Sequence, residues 1–298
     1  MISIAGQKAF RLRNTVGDTL IVLQHGAQIL SWETADGVER LYCTPYLPQE
    51  PRPVRGGVPV IFPQFNRRGP DVTMPRHGFA RLLPWELVGM PQAGGAVRRP
   101  ETACRTNTRM ASDQPDLVLS LTDGPLTAQY PMQGFCLQLQ IRLQPRQLAM
   151  QLVLSNSGPV PLTFTAALHT YLALLDLSGT TLKGLQGSTR INTLIQPEQE
   201  QVADSDSLVL KESIDDIYLG VTRPLLMCSG ADRLRITLTG GFRDMVIWNP
   251  GADGAAAFTD MPNDDWRHML CVEAACIGLP AMVPVGEKWT AGQHLQVL

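Results

Sequence analysis

Residues 135–154 read FCLQLQIRLQPRQLAMQLVL, and this stretch decides the fold class. Phe135, Leu137, Leu139, Ile141 and Leu143 alternate with Gln138, Gln140 and Arg142. A spacing of two puts the first set on one side of an extended chain and the second on the other. Gln144-Pro145-Arg146 then turns the chain, because proline presets φ and removes a backbone donor. Leu148, Met150, Leu152 and Leu154 repeat the alternation on the way back. The expectation is a β-hairpin with one buried face. Similar short runs lie at residues 19–23, 29–33, 117–121, 162–167, 234–239, 245–248, 269–273 and 281–284, between the turn signals of 26 glycines and 23 prolines. No segment of a dozen residues carries a helical stripe with caps. Many short strands separated by turn signals indicate an all-β sandwich or barrel. Residues 91–115 are polar and read as a loop or insertion, and residues 196–207 form a second polar stretch.

Composition narrows the function classes. The chain has 298 residues, 44% of them hydrophobic and 17% charged, with a formal net charge of −2. No break in composition marks a boundary, so residues 1–298 are read as one domain. Nucleic-acid binding calls for a basic face, which this balance does not supply. No run approaches the roughly 18 apolar residues of a membrane helix, and the opening MISIAGQKAFRLRN lacks an apolar signal core. The expectation is a cytoplasmic protein with neither a nucleic-acid nor a membrane partner. It is read as a monomer, since no amphipathic helix or coiled coil offers an interface. Cys43, Cys104, Cys136, Cys228, Cys271 and Cys276 include no C-x-x-C pair. Zinc sites use tighter spacings, so buried free thiols and no metal are expected.

Two apolar runs each hold one titratable residue. Residues 267–278, RHMLCVEAACIG, carry Glu273, and residues 165–171, TAALHTY, carry His169. A carboxyl or imidazole set in an apolar strand needs a partner or a task, because burial disfavours charge. His169 reads equally as a core histidine bonded to backbone. Residues 54–86, VRGGVPVIFPQFNRRGPDVTMPRHGFARLLPWE, concentrate further candidates. Gly56 and Gly57 are read as allowing the backbone to approach a ligand. The prolines argue for an ordered loop rather than a central strand. Arg55, Arg76 and Arg81 suit the oxygens of one anion, and equally suit surface salt bridges. His77 reads as a ligand contact or a loop anchor. Asp215 and Asp216 read as acceptors of sugar hydroxyls or as turn caps. His268 and His294 have no supporting context.

RGGVPVIFPQF, PRHGFARLLPWEL, ALHTYL, ESIDDIY, VIWNP and CVEAACIG followed by VPVGEKWTAGQ occur in this order. Together they resemble the aldose 1-epimerase superfamily, and within it the hexose-6-phosphate mutarotases, or glucose-6-phosphate 1-epimerases. The resemblance spans residues 26–293. It implies a galactose-mutarotase-like β-supersandwich with His169 and Glu273 as the catalytic pair. It also puts Arg55, His77, Arg81 and Asp215 on positions that line the sugar-phosphate site, with Arg76 as a further candidate. Two departures stand out. The family usually has arginine after the aspartate of ESIDDIY, where this chain has Asp216, a second negative charge beside an expected anion site. Arg67 and Arg68 replace a tryptophan- or glycine-rich turn and are candidates for replacing lost positive charge.

The resemblance implies a reaction needing no cofactor. Glu273 takes the proton from the anomeric hydroxyl O1, and His169 gives one to the ring oxygen O5. A nearby carboxylate is expected to keep His169 protonated. The alternatives are a mutarotase for unphosphorylated aldoses, or a non-catalytic carbohydrate-binding protein on the same fold. A zinc hydrolase using His77, His169 and a cysteine is disfavoured by ligand spacing.

Overall fold

The structure, a computed structural model, describes residues 1–69, 71, 73–90, 114–210 and 212–298. The loop reading of residues 91–115 lies, except for its last two residues, outside those described. The hairpin of residues 135–154 is formed by strands Phe135–Gln144 and Gln147–Asn156, paired antiparallel from Phe135 with Asn156 to Gln144 with Gln147. Gln144, expected in the turn, ends its strand, and the loop is Pro145 and Arg146 alone. Arg146 has φ +56°, which suits a tight link whose second residue follows proline. Its backbone N–H donates to Asp18 Oδ2 at 2.7 Å.

Among the described residues the hairpin lies in a nine-stranded antiparallel sheet. Its order is Ser207–Val209, Thr180–Lys183, Leu225–Ser229, Asp232–Gly240, Lys288–Val297, Gln147–Asn156, Phe135–Gln144, Leu117–Thr122 and Glu86–Gly89. A second, eight-stranded sheet runs Glu200–Val202, Thr189–Asn192, Ile214–Leu219, Asp244–Asn249, Met269–Val283, Leu162–Leu168 and Val60–Ile61, with Tyr171–Ala173 also pairing Met269–Val283. Ile2–Ile4, Gln7–Arg13, Thr19–Leu23 and Ile29–Glu33 make a smaller third sheet. Leu137, Leu139 and Leu152 of the nine-stranded sheet share one apolar core with Phe164, Leu168, Val272 and Ala274 of the eight-stranded sheet. This is the all-β sandwich expected, its interior filled by alternate side chains of two sheets. The polar stretch 196–207 contains strand Glu200–Val202, and a single short α-helix, Gly251–Ala256, appears among the described residues.

The runs at 269–273 and 281–284 are not separate strands. They are the two halves of one 15-residue strand, Met269–Val283. Gly278 and Pro280 read as breakers, yet they fall where pairing with Leu162–Leu168 is irregular: Phe164 pairs Ala281 while Ala166 pairs Cys276. A bulge leaves residues without ladder partners, so a proline there loses nothing. Asp244 supports the bulge, accepting from the N–H groups of Ile277 and Gly278 at 2.9 and 2.8 Å.

Alternation along these strands creates the second face of the eight-stranded sheet. Val272, Ala274 and Cys276 join the main core, while Ala275 and Ile277 join Ile61, Phe65, Ala167, Ile217 and Val246 in a separate cluster. Cys271 packs with Tyr42, Tyr171, Met261 and Met269 in another. Glu273 lies between these two clusters on the same face. His169 continues the series Thr165, Ala167 and so points to the same side as Glu273.

Candidate active site

His169 and Glu273 meet. Nε2 of His169 lies 3.3 Å from Oε1 of Glu273 at the floor of a cavity of about 300 Å³, a size suited to a small ligand. Arg55, Arg76, His77, Arg81 and Asp215 line the same cavity. These seven of the residues singled out in the sequence therefore converge. Arg67 and Arg68 do not: Arg67 is exposed, Arg68 pairs with Glu198, and neither lines the cavity. His268 and His294 also lie elsewhere, close to the backbone oxygen of Leu175 and to Gln147 Oε1 respectively.

Backbone hydrogen bonds hold the floor together. The N–H groups of His169 and Tyr171 donate to the carbonyls of Pro59 and Gly57 at 3.0 and 2.9 Å, and Val272 N–H donates to Thr170 O at 2.9 Å. Gly56 and Gly57 serve this packing rather than a ligand. A Cβ on Gly57 would lie 1.8 Å from Ile29 O, and one on Gly56 would lie 2.4 Å from Cys43 Cα. Their positive φ values, +61° and +127°, are those glycine adopts without cost.

The ring of His77 has a fixed polarity. Its Nδ1 accepts the backbone N–H of Asn66 at 3.3 Å. Burial, then Arg81 and Arg76, push its pKa down to about 3. A neutral imidazole whose Nδ1 accepts must carry its proton on Nε2, so His77 is a donor in any neutral solution. The backbone of His77 has φ +65°, and its own N–H donates to Asn66 O at 2.9 Å.

His169 is stacked on Tyr171, ring centroids 4.8 Å apart and 14° from parallel, with the edge of Trp248 at 6.2 Å. Burial, then His77 and Arg81, hold its pKa well below the ordinary histidine value. Burial, then Asp215, hold Glu273 well above the ordinary carboxyl value. The 3.3 Å contact therefore joins a carboxyl held above its ordinary pKa to an imidazole held below its own, a pairing in which burial works against charge on both. This overturns the expectation that a nearby carboxylate keeps His169 protonated. The carboxyl is itself buried, and Arg81 and Arg55 nearby are cations.

The arginines differ in how they are compensated. Arg55 donates from Nε to Asp260 Oδ1 at 2.8 Å, and its guanidinium lies 3.8 Å over the ring of Phe258. Arg81 donates from Nη2 to the backbone oxygen of Arg76 at 3.0 Å, and its Nε is buried without a partner. Among the described residues neither Arg76 nor Arg81 has a carboxylate partner. Burial, and repulsion from Arg76 and Arg55, lower the pKa of Arg81, with Tyr171 opposing. Asp215 faces the cavity, its pKa raised by burial first and by Asp216 second. Both aspartates sit in strand Ile214–Leu219, so neither caps a turn. Asp216 projects to the opposite side, fully buried, where it accepts from Arg190 Nε and Nη2 at 2.8 and 3.1 Å. Its carboxylate is paired with Arg190 on that far side, and it does not line the cavity.

Tyr171, Trp248, Phe258 and Asp260 also line the cavity and were not singled out. Tyr171 lay inside the quoted run TAALHTY and Trp248 inside VIWNP; Phe258 and Asp260 belong to no pattern. Among the described residues, one group of side chains has metal-ligating geometry: donor atoms of His169, Cys271 and Glu273 lie within 4.8 Å of one another. Cys136, Cys271 and Cys276 are buried, while Cys43 and Cys228 are half-buried.

The raised carboxyl of Glu273 has a stability consequence. Folding holds its proton more tightly than the unfolded chain does. Its contribution is fully present below pH 4.5, the unfolded value. As pH rises beyond that, the contribution is lost, at up to about 1.4 kcal/mol per pH unit, until the folded pKa is passed. Glu273→Gln cannot ionise. Its stability in urea should exceed that of the native chain at pH 7–8, and the difference should close toward about pH 4.5. A difference that does not vary with pH would remove Glu273 as a buried titrating group.

No helix among the described residues is long and apolar enough to cross a membrane. The chain resembles a protein of Cenchrus ciliaris bearing the provisional name glucose-6-phosphate 1-epimerase, with 26% identity over 270 residues, covering 89% of this chain and 77% of that protein. A protein of Escherichia coli K12 with the same provisional name is 28% identical over 255 residues, covering 84% of this chain and 77% of its own length. In fold the chain matches the crystal structure of YeaD from Salmonella typhimurium, provisionally a mutarotase, with a TM-score of 0.82 at 21% identity over 99% of this chain and 92% of that one. That likeness gives the fold as galactose-mutarotase-like. Residues 8–296 match the profile of the family described as aldose 1-epimerase, and with a carboxyl and an imidazole at the floor of a sugar-sized cavity, the chain belongs to the aldose 1-epimerase family.

Proposed function

We propose that the chain interconverts the α and β anomers of a hexose 6-phosphate, with glucose 6-phosphate the first candidate. The observation that carries this reading is Arg81, whose Nε is buried without a partner in the same cavity as the His169–Glu273 pair, with Arg76 beside it on the cavity wall. A guanidinium with a buried donor left unpartnered and no carboxylate beside it suits an anion, and phosphate oxygens match its fork. The names of the two relatives agree with a phosphorylated substrate. The chain acts as one domain, as a monomer, in the cytoplasm, without cofactor and without nucleic-acid or membrane partners.

Proton transfer follows from the shared proton of the pair. A phosphate dianion beside Arg76 and Arg81 offsets the cations that depress His169. The proton then moves from Glu273 to His169 across their 3.3 Å contact, with no uptake from solvent. Glu273, now a carboxylate, accepts the O1 proton while the C1–O5 bond breaks and His169 protonates O5. The aldehyde turns about C1–C2. O5 then attacks the other face of C1, returns its proton to His169, and O1 recovers its proton from Glu273. The pair ends as it began. The Nε2–H of His77 donates to the ring-oxygen side or a hydroxyl, and Asp215 accepts from a hydroxyl. Arg55, already bound to Asp260, braces the phosphate side.

The decisive comparison is mutarotation of freshly dissolved α-glucose 6-phosphate and α-glucose, corrected for the spontaneous rate. One charge-assisted hydrogen bond is worth about 1.5–3 kcal/mol, so kcat/KM should favour the phosphate ester by at least about tenfold. Equal efficiency on both would leave a mutarotase of unphosphorylated aldoses. No catalysis on either would leave a carbohydrate-binding protein.

A further inference from the structure

We propose that His169, Cys271 and Glu273 form a capture site for one thiophilic divalent cation of the zinc class, and that occupancy of this site switches the enzyme off. The reaction scheme has no use for Cys271. Yet Cys271 and Glu273 stand two residues apart on strand Met269–Val283, so their side chains share one face. His169 meets them from the opposite segment. One donor atom from each, a ring nitrogen, a sulfur and a carboxyl oxygen, lies within 4.8 Å of the others.

Two further observations point to a ligand. Glu273 is 1% exposed, and its Oε2 is buried with no hydrogen-bond partner. Nδ1 of His169 is likewise buried and unpartnered. Buried polar atoms without partners are uncommon, and here two of them belong to the same three-residue group. Both sit beside a thiol that is 0% exposed.

The donor set selects the ion. Zinc takes nitrogen, sulfur and carboxyl oxygen at about 2.0–2.3 Å in four-coordinate sites, and three protein ligands leave one position open. Magnesium and calcium prefer six or more oxygens, which this group does not offer. Charge also balances. The thiol and the carboxyl each release a proton as they bind, so two anionic ligands cancel the dication. The neutral complex adds no charge beside Arg55 and Arg81. Closing on the ion draws the three side chains in from their present spacing. Because His169 and Glu273 line the cavity while Cys271 lies behind them, the ion enters by the route the sugar uses. Once bound, it holds the imidazole lone pair and the carboxylate, and neither can move a proton.

The inhibition rests on the acid–base reading above; the binding does not. The experiment therefore has two readouts on the full chain. Cobalt(II), a spectroscopic stand-in for zinc, should produce a thiolate-to-metal charge-transfer band, displaced by zinc and abolished in Cys271→Ala and in Cys271→Ser. Zinc should lower mutarotation at least tenfold, reversibly by chelator and in competition with substrate. The two cysteine variants should retain basal turnover and require at least tenfold more zinc for the same loss. Absence of the band in the native protein, or inhibition unchanged in both variants, would overturn the site. A band with full activity would leave the site standing and overturn the catalytic roles of His169 and Glu273.

Discussion

Glu273→Gln should lower enzymatic mutarotation of α-glucose 6-phosphate by about 10²–10⁴-fold, the contribution of one general acid–base group. The substitution is nearly isosteric and keeps a hydrogen-bonding group 3.3 Å from His169, but the amide neither accepts nor releases the O1 proton. Loss of fold is separable as a cause, because the same variant should be more stable than the native chain at neutral pH. His169→Asn should produce a loss of the same order. The double variant should be little worse than either single one, since the two groups act on one proton and their effects do not add. Polarimetry on freshly dissolved anomer, with the uncatalysed rate subtracted, measures all three. Retention of full activity by Glu273→Gln would remove the pair from the reaction.

Arg81→Met should reduce kcat/KM for glucose 6-phosphate by roughly 10–100-fold while leaving that for glucose nearly unchanged, as expected when one charge-assisted hydrogen bond to phosphate is lost. Methionine keeps much of the apolar stem, so packing is largely preserved. Arg81→Lys should recover only part of the loss, because an ammonium restores charge but not the two-pronged geometry. The same variant tests the electrostatics. Arg81 is one of the cations that depress His169, so removing it should shift the acidic limb of the pH–rate profile to higher pH. A merely structural role for Arg81 would lower both substrates together and leave the limb in place. Arg55 is expected to behave differently: fixed by Asp260 and Phe258, its removal disturbs the cavity wall and both substrates.

Much of this site was legible in the chain because its parts sit in runs with strong period-two patterns. His169 and Glu273 stood out as single polar residues in apolar strands, and alternation alone puts each on one definite face. What the pattern cannot supply is the partner of a side chain that crosses between strands. Asp216 looked like a second charge facing an anion, yet strand alternation and Arg190, 26 residues upstream, turn it to the far side. Gly56 and Gly57 looked like room for a ligand, but the atoms they spare belong to Ile29 and Cys43. Asp260 escaped notice because its role depends on meeting Arg55 across 205 positions. The long strand Met269–Val283 was divided by its own glycine and proline, which in isolation are breakers and in place sit on a bulge.

The hydrogen bonds from His169 to Pro59 and from Tyr171 to Gly57 bear on how such enzymes can be re-engineered. The anchors of the imidazole, Gly57 and Pro59, lie just after the cavity-wall residue Arg55 and upstream of the phosphate-side arginines Arg76 and Arg81. Grafting the arginine-bearing loop alone onto a relative would import the charge but leave the imidazole without its anchor. The smallest transplantable module must carry Gly57 and Pro59, Arg76 and Arg81, residues 165–171 and the strand bearing Glu273, moved as a unit.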